Sequence, residues 1–443
     1  MTEQKGVSSP KLKKTLGPLM LWGLGVGYVI SGMYFGWNLG LEKGGTLGLA
    51  IATFFIIIMY LTFTFSYTEL ACAIPKAGGA FDYADRGLGK NMGFIAGITQ
   101  IVEFVFAPPA IALAIGAYFH LSFPQFDTIA IAIVAYLIFT GLNIYGVKAA
   151  ASFELIITIL AVGELLLFAG VTLPEFEFKN LQQNALPNGI EGAFAAIPFA
   201  IWFFLAIEGV ANVAEETVNP QRNILIGFGS AILTLVVLCL LTFSSSVGVA
   251  GWEAVVFPEG SDVASDSPLP LALGKVVGEG SFMYELLVTV GLFGLIASFH
   301  GIILAAGRAT FEFGRVGYAP KRLGKVHKKF RTPANALLIN MLVGIIALLT
   351  GKTGEIITIA CFGALGLYII SMLAFFALRK KEPDMPRPFR VPAYPLFPAL
   401  ALGIAIIALI AMTFYNLVLA AIFFGFVAVS FFAFKLFWKE TEV

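Results

Sequence analysis

The sequence predicts an all-α, polytopic membrane protein with twelve transmembrane helices, because of its composition and its long apolar segments. Of its 443 residues, 58% are apolar and only 12% are charged, whereas a soluble domain carries roughly 25% charged residues. Charge-free apolar stretches of about 20 residues recur along the chain, and each can cross a bilayer. This pattern excludes an ordinary soluble enzyme, a disordered chain and a β-barrel, whose strands would alternate over about 10 residues.

The predicted spans are separated mostly by polar connectors that carry glycine or proline. Called spans 1 to 12, they cover residues 17–41, 47–73, 93–119, 126–145, 151–173, 192–214, 224–251, 282–308, 333–350, 356–378, 396–415 and 416–437. With the N-terminus inside, only four of the 28 Lys and Arg residues fall on outer loops. Because basic residues favour the cytoplasmic side, we expect a cytoplasmic-membrane protein with cytoplasmic tails at 1–16 and 438–443.

Charge and cysteine content indicate no further class of ligand. The net charge of +1 gives no overall field that would attract nucleic acid. The three cysteines lie inside apolar runs and form no CxxC pair, so the sequence indicates neither a zinc site nor a disulfide framework. We therefore expect no cofactor and no nucleic-acid partner. The sequence leaves the oligomeric state open.

Two spans carry helix-breaking residues near their middles. Span 1 has five glycines around Ser31, and each glycine costs a helix interior roughly 1 kcal/mol. Span 6 combines Pro198, Glu208 and Gly209. Interruptions at matching places in two halves are typical of inverted-repeat transporters, although close helix packing through small residues is the alternative. We expect both helices to be broken.

Ionisable side chains lie within the predicted spans. Glu103, Glu164 and Glu208 are near mid-span, and His300 lies within span 8. A carboxylate at the bilayer centre costs roughly 2.5–3.5 kcal/mol, yet no Lys or Arg lies at mid-span to neutralise it. These acids must be protonated, hydrogen-bonded or turned toward a cavity that receives a cation. Ligand, proton-carrying and structural roles stay open for Glu208.

Aromatic side chains flank the predicted breaks. Trp202 and Phe204 lie next to the interruption in span 6, and Tyr34 follows the one in span 1. Most aromatics in apolar spans only pack. Those beside a break can also cover a bound ammonium group through cation–π contact, which is worth up to about 2 kcal/mol when desolvated.

Four motifs are specific in combination. They are Ser31-Gly32-Met33 in span 1; Tyr67-Thr-Glu69-Leu70 followed by Pro75-Lys-Ala-Gly78-Gly79-Ala-Phe81-Asp-Tyr83; Ile207-Glu208-Gly209 leading into residues 214–223; and residues 308–320 after span 8. On these motifs the chain resembles the amino acid/polyamine/organocation permease superfamily over nearly all of its length. Within that superfamily it is most similar to bacterial ethanolamine permeases.

The resemblance implies a LeuT-like five-plus-five inverted repeat. The first repeat would be residues 17–173 and the second 192–378, with spans 11 and 12 (396–437) outside the repeats. The substrate site would lie between the breaks of spans 1 and 6. The residues expected there are Ser31, Gly32, Met33, Tyr34, Glu103, Trp202, Phe204 and Ile207. Glu208 matches an acidic position that some relatives use for proton sensing, and Glu164 and His300 are further candidates for proton coupling or gating.

Two departures from the amino acid carriers of this superfamily favour a substrate without a carboxylate. Their Gly-Ser-Gly-like turn reads Ser31-Gly32-Met33 here, and Glu103 stands where relatives usually have a small residue facing the substrate. We therefore expect import of ethanolamine as a cation, driven by the membrane potential or by proton symport. The alternative is an amino acid permease or exchanger of the same fold. An enzyme or a channel is disfavoured because neither a catalytic constellation nor a repeated pore-lining segment is present.

Overall fold

The described chain is almost entirely helical. A computed structural model describes residues 14–76, 78–145 and 150–437, so the predicted tail 438–443 and most of the tail 1–16 lie outside the described residues. Within them, the extended pairing is a single bridge between Leu16 and Thr217. The all-α prediction is therefore confirmed.

The helices follow the predicted spans closely. They are Pro18–Val29 and Ser31–Tyr34 (span 1), Asn38–Ala73 (the end of span 1 and span 2, which are separated by the non-helical Gly45), Lys90–Ser122, Thr128–Tyr145, Ala150–Thr172, Gly189–Ala195, Ile197–Trp202 and the 3-10 helix Ile207–Glu216 (span 6), Pro220–Ala250, Phe282–Arg315, Ala334–Leu348, Thr353–Lys381, Leu396–Tyr415 and Leu417–Phe437. Among the described residues, ten spans are long and apolar enough to cross a membrane. The other two are the broken span 1 and span 9, which has only 15 residues.

Span 1 is interrupted at two points. The first helix ends at Val29 and is capped by Ile30. One further helical turn follows and is capped by Phe35, whose backbone is extended. Gly36 then takes a positive φ of 86°, a conformation that glycine adopts at little steric cost. Residues 30–37 are called the first break. Its strongest departure from helix lies at Phe35 and Gly36, a few residues beyond the predicted Ser31-Gly32-Met33 turn.

Span 6 is broken between Trp202 and Ile207. Residues 203–206, called the second break, end at Ala206, which has a left-handed backbone with φ of 74°. The predicted breaker Pro198 lies instead in the first turn of the helix Ile197–Trp202, where a missing N–H costs nothing. The break predicted from Pro198, Glu208 and Gly209 is thus present, but it lies between these residues.

The core of the bundle is formed by spans 3, 6 and 10. The most apolar windows of these spans are 89%, 100% and 83% buried, whereas those of spans 11 and 12 are only 33% and 17% buried. Apolar side chains on the peripheral pair, such as Ile410 and Val418, stay exposed on the bundle surface, as suits a lipid contact. The side of the bundle where span 1 begins is called inner, and the opposite side is called outer.

A buried ionic cluster closes the inner end of spans 2 and 10. The Glu69 carboxylate lies 2.7 Å from Arg379 and 3.2 Å from Arg387, and it accepts a hydrogen bond from the Val391 backbone N–H. The side chains of Glu69 and Arg387 are only 1% and 3% exposed. This Glu69 cluster ties the connector between spans 10 and 11 to span 2.

The outer connector between spans 7 and 8 contains two helices of its own. It holds the helices Trp252–Val256 and Pro268–Val277. Asn38 donates a hydrogen bond to the Ser265 carbonyl, and the Thr353 hydroxyl donates one to Asp266. The connector is therefore fastened to the outer ends of spans 1 and 10.

Asp266 should make the stability of this connector depend on pH. Burial raises the pKa of Asp266 from 3.8 to about 6, with the Thr353 hydrogen bond opposing the shift. Because the folded pKa exceeds the unfolded one, this contribution to stability is complete below about pH 4 and is lost as the pH rises through 6. We expect the wild-type unfolding temperature in detergent to fall between pH 5 and pH 7 relative to that of Asp266→Asn. A parallel pH dependence of the two proteins would contradict this expectation.

Candidate substrate site between the two broken helices

The two breaks lie directly against each other in the middle of the bundle. A Cβ added to Gly32 would collide with the carbonyl oxygen of Trp202, so glycine is needed for this close approach. The Trp202 indole N–H donates a hydrogen bond of 3.0 Å to the Phe35 carbonyl, and the two rings meet edge to face. Non-helical backbone from both spans is thereby brought to one buried place.

Ser31 connects the first break to span 8. Its hydroxyl donates a hydrogen bond of 2.8 Å to Ser298, whose hydroxyl in turn donates to the carbonyl oxygen of Tyr28. All three residues are buried. Ser298 was not among the predicted site residues, although it lies two residues before the predicted His300.

Tyr34 points away from the breaks toward span 5. Its hydroxyl donates a hydrogen bond of 2.6 Å to Glu164, and Tyr118 donates to its backbone carbonyl. Tyr34, Tyr118 and Glu164 line a small outer cavity of about 10 Å³ with Leu269 and Leu273 of the outer connector. Two residues predicted for different roles, Tyr34 and Glu164, are thus direct partners.

Glu103 and Glu208 form a buried acidic pair beside the second break. Glu103 accepts a hydrogen bond of 3.1 Å from the Ala206 backbone N–H. The Tyr368 hydroxyl lies 3.0 Å from Glu208 and 3.5 Å from Glu103, and it also contacts the Tyr60 hydroxyl at 3.1 Å. The two carboxyl groups also lie within hydrogen-bond distance of each other, and Glu103 Oε2 and Glu208 Oε1 have no hydrogen-bond partner outside the pair. Glu103 therefore caps unwound backbone of the second break.

The remaining predicted residues pack within the core. Met33 is fully buried, and its carbonyl accepts a hydrogen bond from the Trp37 indole. The Phe204 ring lies 5.2 Å from that of Tyr60, and Ile207 is fully buried at the start of the inner half of span 6. Trp202 and Phe204 thus belong to the walls around the breaks. The substrate-binding roles assigned to these residues stay predictions.

The larger cavity lies on the inner side and contains His300. It measures about 60 Å³ and is lined by residues of spans 1, 5, 6 and 8, among them Tyr28, Glu154, Glu216, His300 and Arg308. His300 Nδ1 lies 3.3 Å from Glu154 Oε2. Glu154 lies near the inner end of span 5, yet its side chain is only 2% exposed.

Sequence reasoning missed the neutral polar partners of the predicted residues. Tyr60, Tyr368 and Ser298 have no distinctive motif, since single tyrosines and serines in apolar spans are common. The one available signal was that a buried tyrosine hydroxyl requires a hydrogen-bond partner, which a buried carboxyl group can supply. Within residues 14–76, 78–145 and 150–437, no group of three His, Cys, Asp or Glu side chains is arranged to hold a metal ion.

Comparison with known proteins identifies the family of this chain. The sequence profile of the family described as "Amino acid permease" matches residues 16–437. An uncharacterized transporter of Rhizobium meliloti (strain 1021) is 28% identical over 390 residues, which cover 84% of this chain and 80% of that protein.

Two relatives from Bacillus subtilis (strain 168) have named substrates. A branched-chain amino acid permease is 28% identical over 418 residues, covering 88% of this chain and 86% of its own length. A methylthioribose transporter is 26% identical over 421 residues, covering 90% of this chain and 88% of its own length. Since the family profile spans nearly the whole chain, the protein belongs to the amino acid permease family and is a multi-pass membrane transporter.

Proposed function

We propose that this transporter carries a small α-amino acid across the cytoplasmic membrane by alternating access. The observation that carries the proposal is the contact of the two breaks at Gly32 and Trp202, which places backbone polar groups of spans 1 and 6 at one buried position. In inverted-repeat transporters such discontinuous helices hold substrate at the bilayer midplane. Membership of the amino acid permease family and the likeness to a branched-chain amino acid permease support this substrate class.

The two ends of an amino acid would meet different parts of the site. The substrate carboxylate would accept hydrogen bonds from backbone N–H groups of the first break near Ser31. Its ammonium group would donate to carbonyl oxygens of the second break and to the hydroxyl of Ser298, which lies 2.8 Å from Ser31 Oγ. Trp202 and Phe204 would exclude water around the side chain. In this arrangement the first break supplies N–H donors to the carboxylate, and the second break supplies carbonyl acceptors to the ammonium group.

The acidic pair distinguishes this proposal from ethanolamine transport. Because Glu103 already caps the Ala206 N–H and contacts Tyr368, a structural role accounts for its presence without a bound cation. Ethanolamine remains the second candidate because Glu103 Oε2 and Glu208 Oε1 are buried without hydrogen-bond partners outside the pair. An ammonium group could bind there through charge-assisted hydrogen bonds.

The proposal also includes the orientation of the protein in the membrane and the boundaries of its two inverted repeats. The Lys and Arg bias places both termini in the cytoplasm, so the cavity that contains His300 would face the cytoplasm. The repeats would be residues 17–173 and 192–378, with spans 11 and 12 (396–437) peripheral, as their low burial supports. Rocking of one group of helices against the other would then alternate access to the breaks.

Uptake into proteoliposomes tests the substrate class. The purified protein would be supplied with labelled leucine, alanine, serine or ethanolamine under an inside-negative potential, with each unlabelled compound, choline and arginine as competitors. Saturable uptake of a neutral amino acid that ethanolamine does not block supports the proposal. Saturable ethanolamine uptake that amino acids do not block overturns it in favour of the second candidate.

Uptake by the Glu103→Gln variant distinguishes amino acid transport from ethanolamine transport. Glutamine retains an oxygen that accepts from the Ala206 N–H, so we expect amino acid uptake to fall less than about tenfold. If Glu103 bound an ammonium directly, losing that charged contact would cost about 1.5–3 kcal/mol, or more than tenfold in uptake. Initial uptake rates of Glu103→Gln would be compared with those of Glu103→Ala, which removes the cap altogether and should be the more impaired of the two.

A further inference from the structure

Glu154 and His300 form a buried ionisable pair outside the two breaks. Glu154 lies at the inner end of span 5 and His300 in span 8, with Oε2 and Nδ1 separated by 3.3 Å. The two side chains are only 2% and 8% exposed. The second carboxylate oxygen, Oε1, is buried without a hydrogen-bond partner. The pair therefore has an unused acceptor that can take a proton.

Glu154 and His300 line the inner cavity, which is larger than the outer cavity beside Tyr34. This inner cavity of about 60 Å³ is lined by both residues and by Tyr28. Arg308 and Glu216 also line it and form an ion pair of 2.9 Å whose side chains are 31% and 23% exposed. The cavity therefore brings the buried pair next to a more exposed ion pair on the inner side.

The Glu154 carboxylate is also packed against the backbones of two other spans. A Cβ at Gly27 would lie 2.6 Å from Glu154 Oε1, and one at Gly301 would lie 3.1 Å from it. The neighbouring Thr158 hydroxyl donates a hydrogen bond to the Gly23 carbonyl. Any change in the charge of Glu154 therefore acts directly on the contact of span 5 with spans 1 and 8.

We propose that the Glu154–His300 pair is the proton-binding site that couples substrate import to proton entry. The pair gains one proton, carried on the carboxylate or the imidazole, and releases it through the inner cavity as the substrate leaves. The charged and titratable groups that face it are Tyr28 of span 1, Glu216 of span 6 and Arg308 of span 8. The polar Asn143 of span 4 contacts the backbone of His300. The inference rests on the proposed transport function, whichever substrate is carried.

Two measurements on the same proteoliposomes test this site: substrate accumulation driven by a pH gradient, and substrate exchange at equal pH. Proteoliposomes would receive an inside-alkaline pH gradient, and a pH-sensitive dye inside them would report proton entry that depends on substrate. We expect the gradient to raise wild-type accumulation several-fold. In Glu154→Gln the gradient should have no effect and no substrate-dependent acidification should appear, whereas exchange of labelled for unlabelled substrate at equal pH should fall much less.

A second variant and a matched control distinguish loss of proton coupling from a folding defect. His300→Gln should shift the pH profile of uptake and weaken the response to the gradient. Glu312→Gln changes a different inner-side carboxylate, which lies in span 8 and is paired with Arg315, and should respond to the gradient like the wild type. A full gradient response in folded Glu154→Gln overturns the proton site. Absence of wild-type uptake of amino acids and of ethanolamine overturns instead the transport proposal on which it rests.

Discussion

Gly32→Ala is expected to reduce uptake to about 1% of the wild-type rate or less while leaving the spans assembled. The added methyl group collides with the Trp202 carbonyl oxygen and also approaches Phe203 Cα. Both obstacles are backbone atoms, so no side-chain rotation can relieve the collision. Either the two breaks move apart or the local backbone is strained, and in both cases the substrate groups lose their alignment. A misplacement of about 1 Å can cost 100-fold in a positioned reaction step.

Gly163→Ala is the matched control for this substitution. Gly163 lies within span 5, and a Cβ added there has no atom within 4 Å. In a helix interior alanine is favoured over glycine by roughly 1 kcal/mol, so this variant should keep wild-type uptake and unfold at an equal or higher temperature. Initial uptake rates, normalised to folded protein from size-exclusion chromatography, compare the two variants. Normal uptake by Gly32→Ala would show that the breaks need not touch during transport.

Glu69→Gln should cause the largest loss of stability among the substitutions considered. The Glu69 carboxylate is buried between two arginines, and Arg387 is itself only 3% exposed. Glutamine can still accept from the Val391 N–H, but it leaves the buried Arg387 and the partly buried Arg379 without an anion. Removing one partner of a buried ion pair costs roughly 3–5 kcal/mol. We expect a lower unfolding temperature in detergent and a reduced yield of monodisperse protein.

Glu382→Gln provides the contrast of an exposed ion pair on the same side of the protein. Glu382 receives two hydrogen bonds from Arg86, but the two side chains are 32% and 46% exposed. Exposed pairs contribute about 0–1 kcal/mol, so this variant should unfold close to the wild type. Equal stability losses in the two variants would mean that burial of the Glu69 cluster adds nothing to its strength.

The number of spans and the existence of both breaks were predictable because the bilayer imposes them. Each crossing needs a long apolar segment, and residues such as Gly32 and Gly36 weaken a helix locally wherever they stand. The register of the breaks was less predictable. Pro198 lies in a first helical turn, where proline is harmless, while Ala206 takes the left-handed conformation that a sequence pattern would assign to glycine. Tertiary contacts override local preference at both positions.

The partners of the buried acids could not be predicted because they come from distant spans. Glu103 meets the backbone of Ala206 and the side chain of Tyr368, which are 103 and 265 residues away along the chain. Composition shows that a buried carboxyl group must find a partner, but not which one. The same holds for Glu154, which lies near a span end but is buried against Gly27 of span 1 and Gly301 of span 8.

The short span 9 has a consequence for the surrounding lipid. At 1.5 Å per residue, the 15 residues of Ala334–Leu348 rise only about 22 Å, less than the roughly 30 Å hydrocarbon thickness of a bilayer. The exposed side chains of Leu338, Leu342 and Ile346 form its outward face. Local thinning of the bilayer is one way to accommodate such a hydrophobic mismatch. We therefore expect the bilayer to be thinner beside span 9 and lipids with shorter acyl chains to be favoured there.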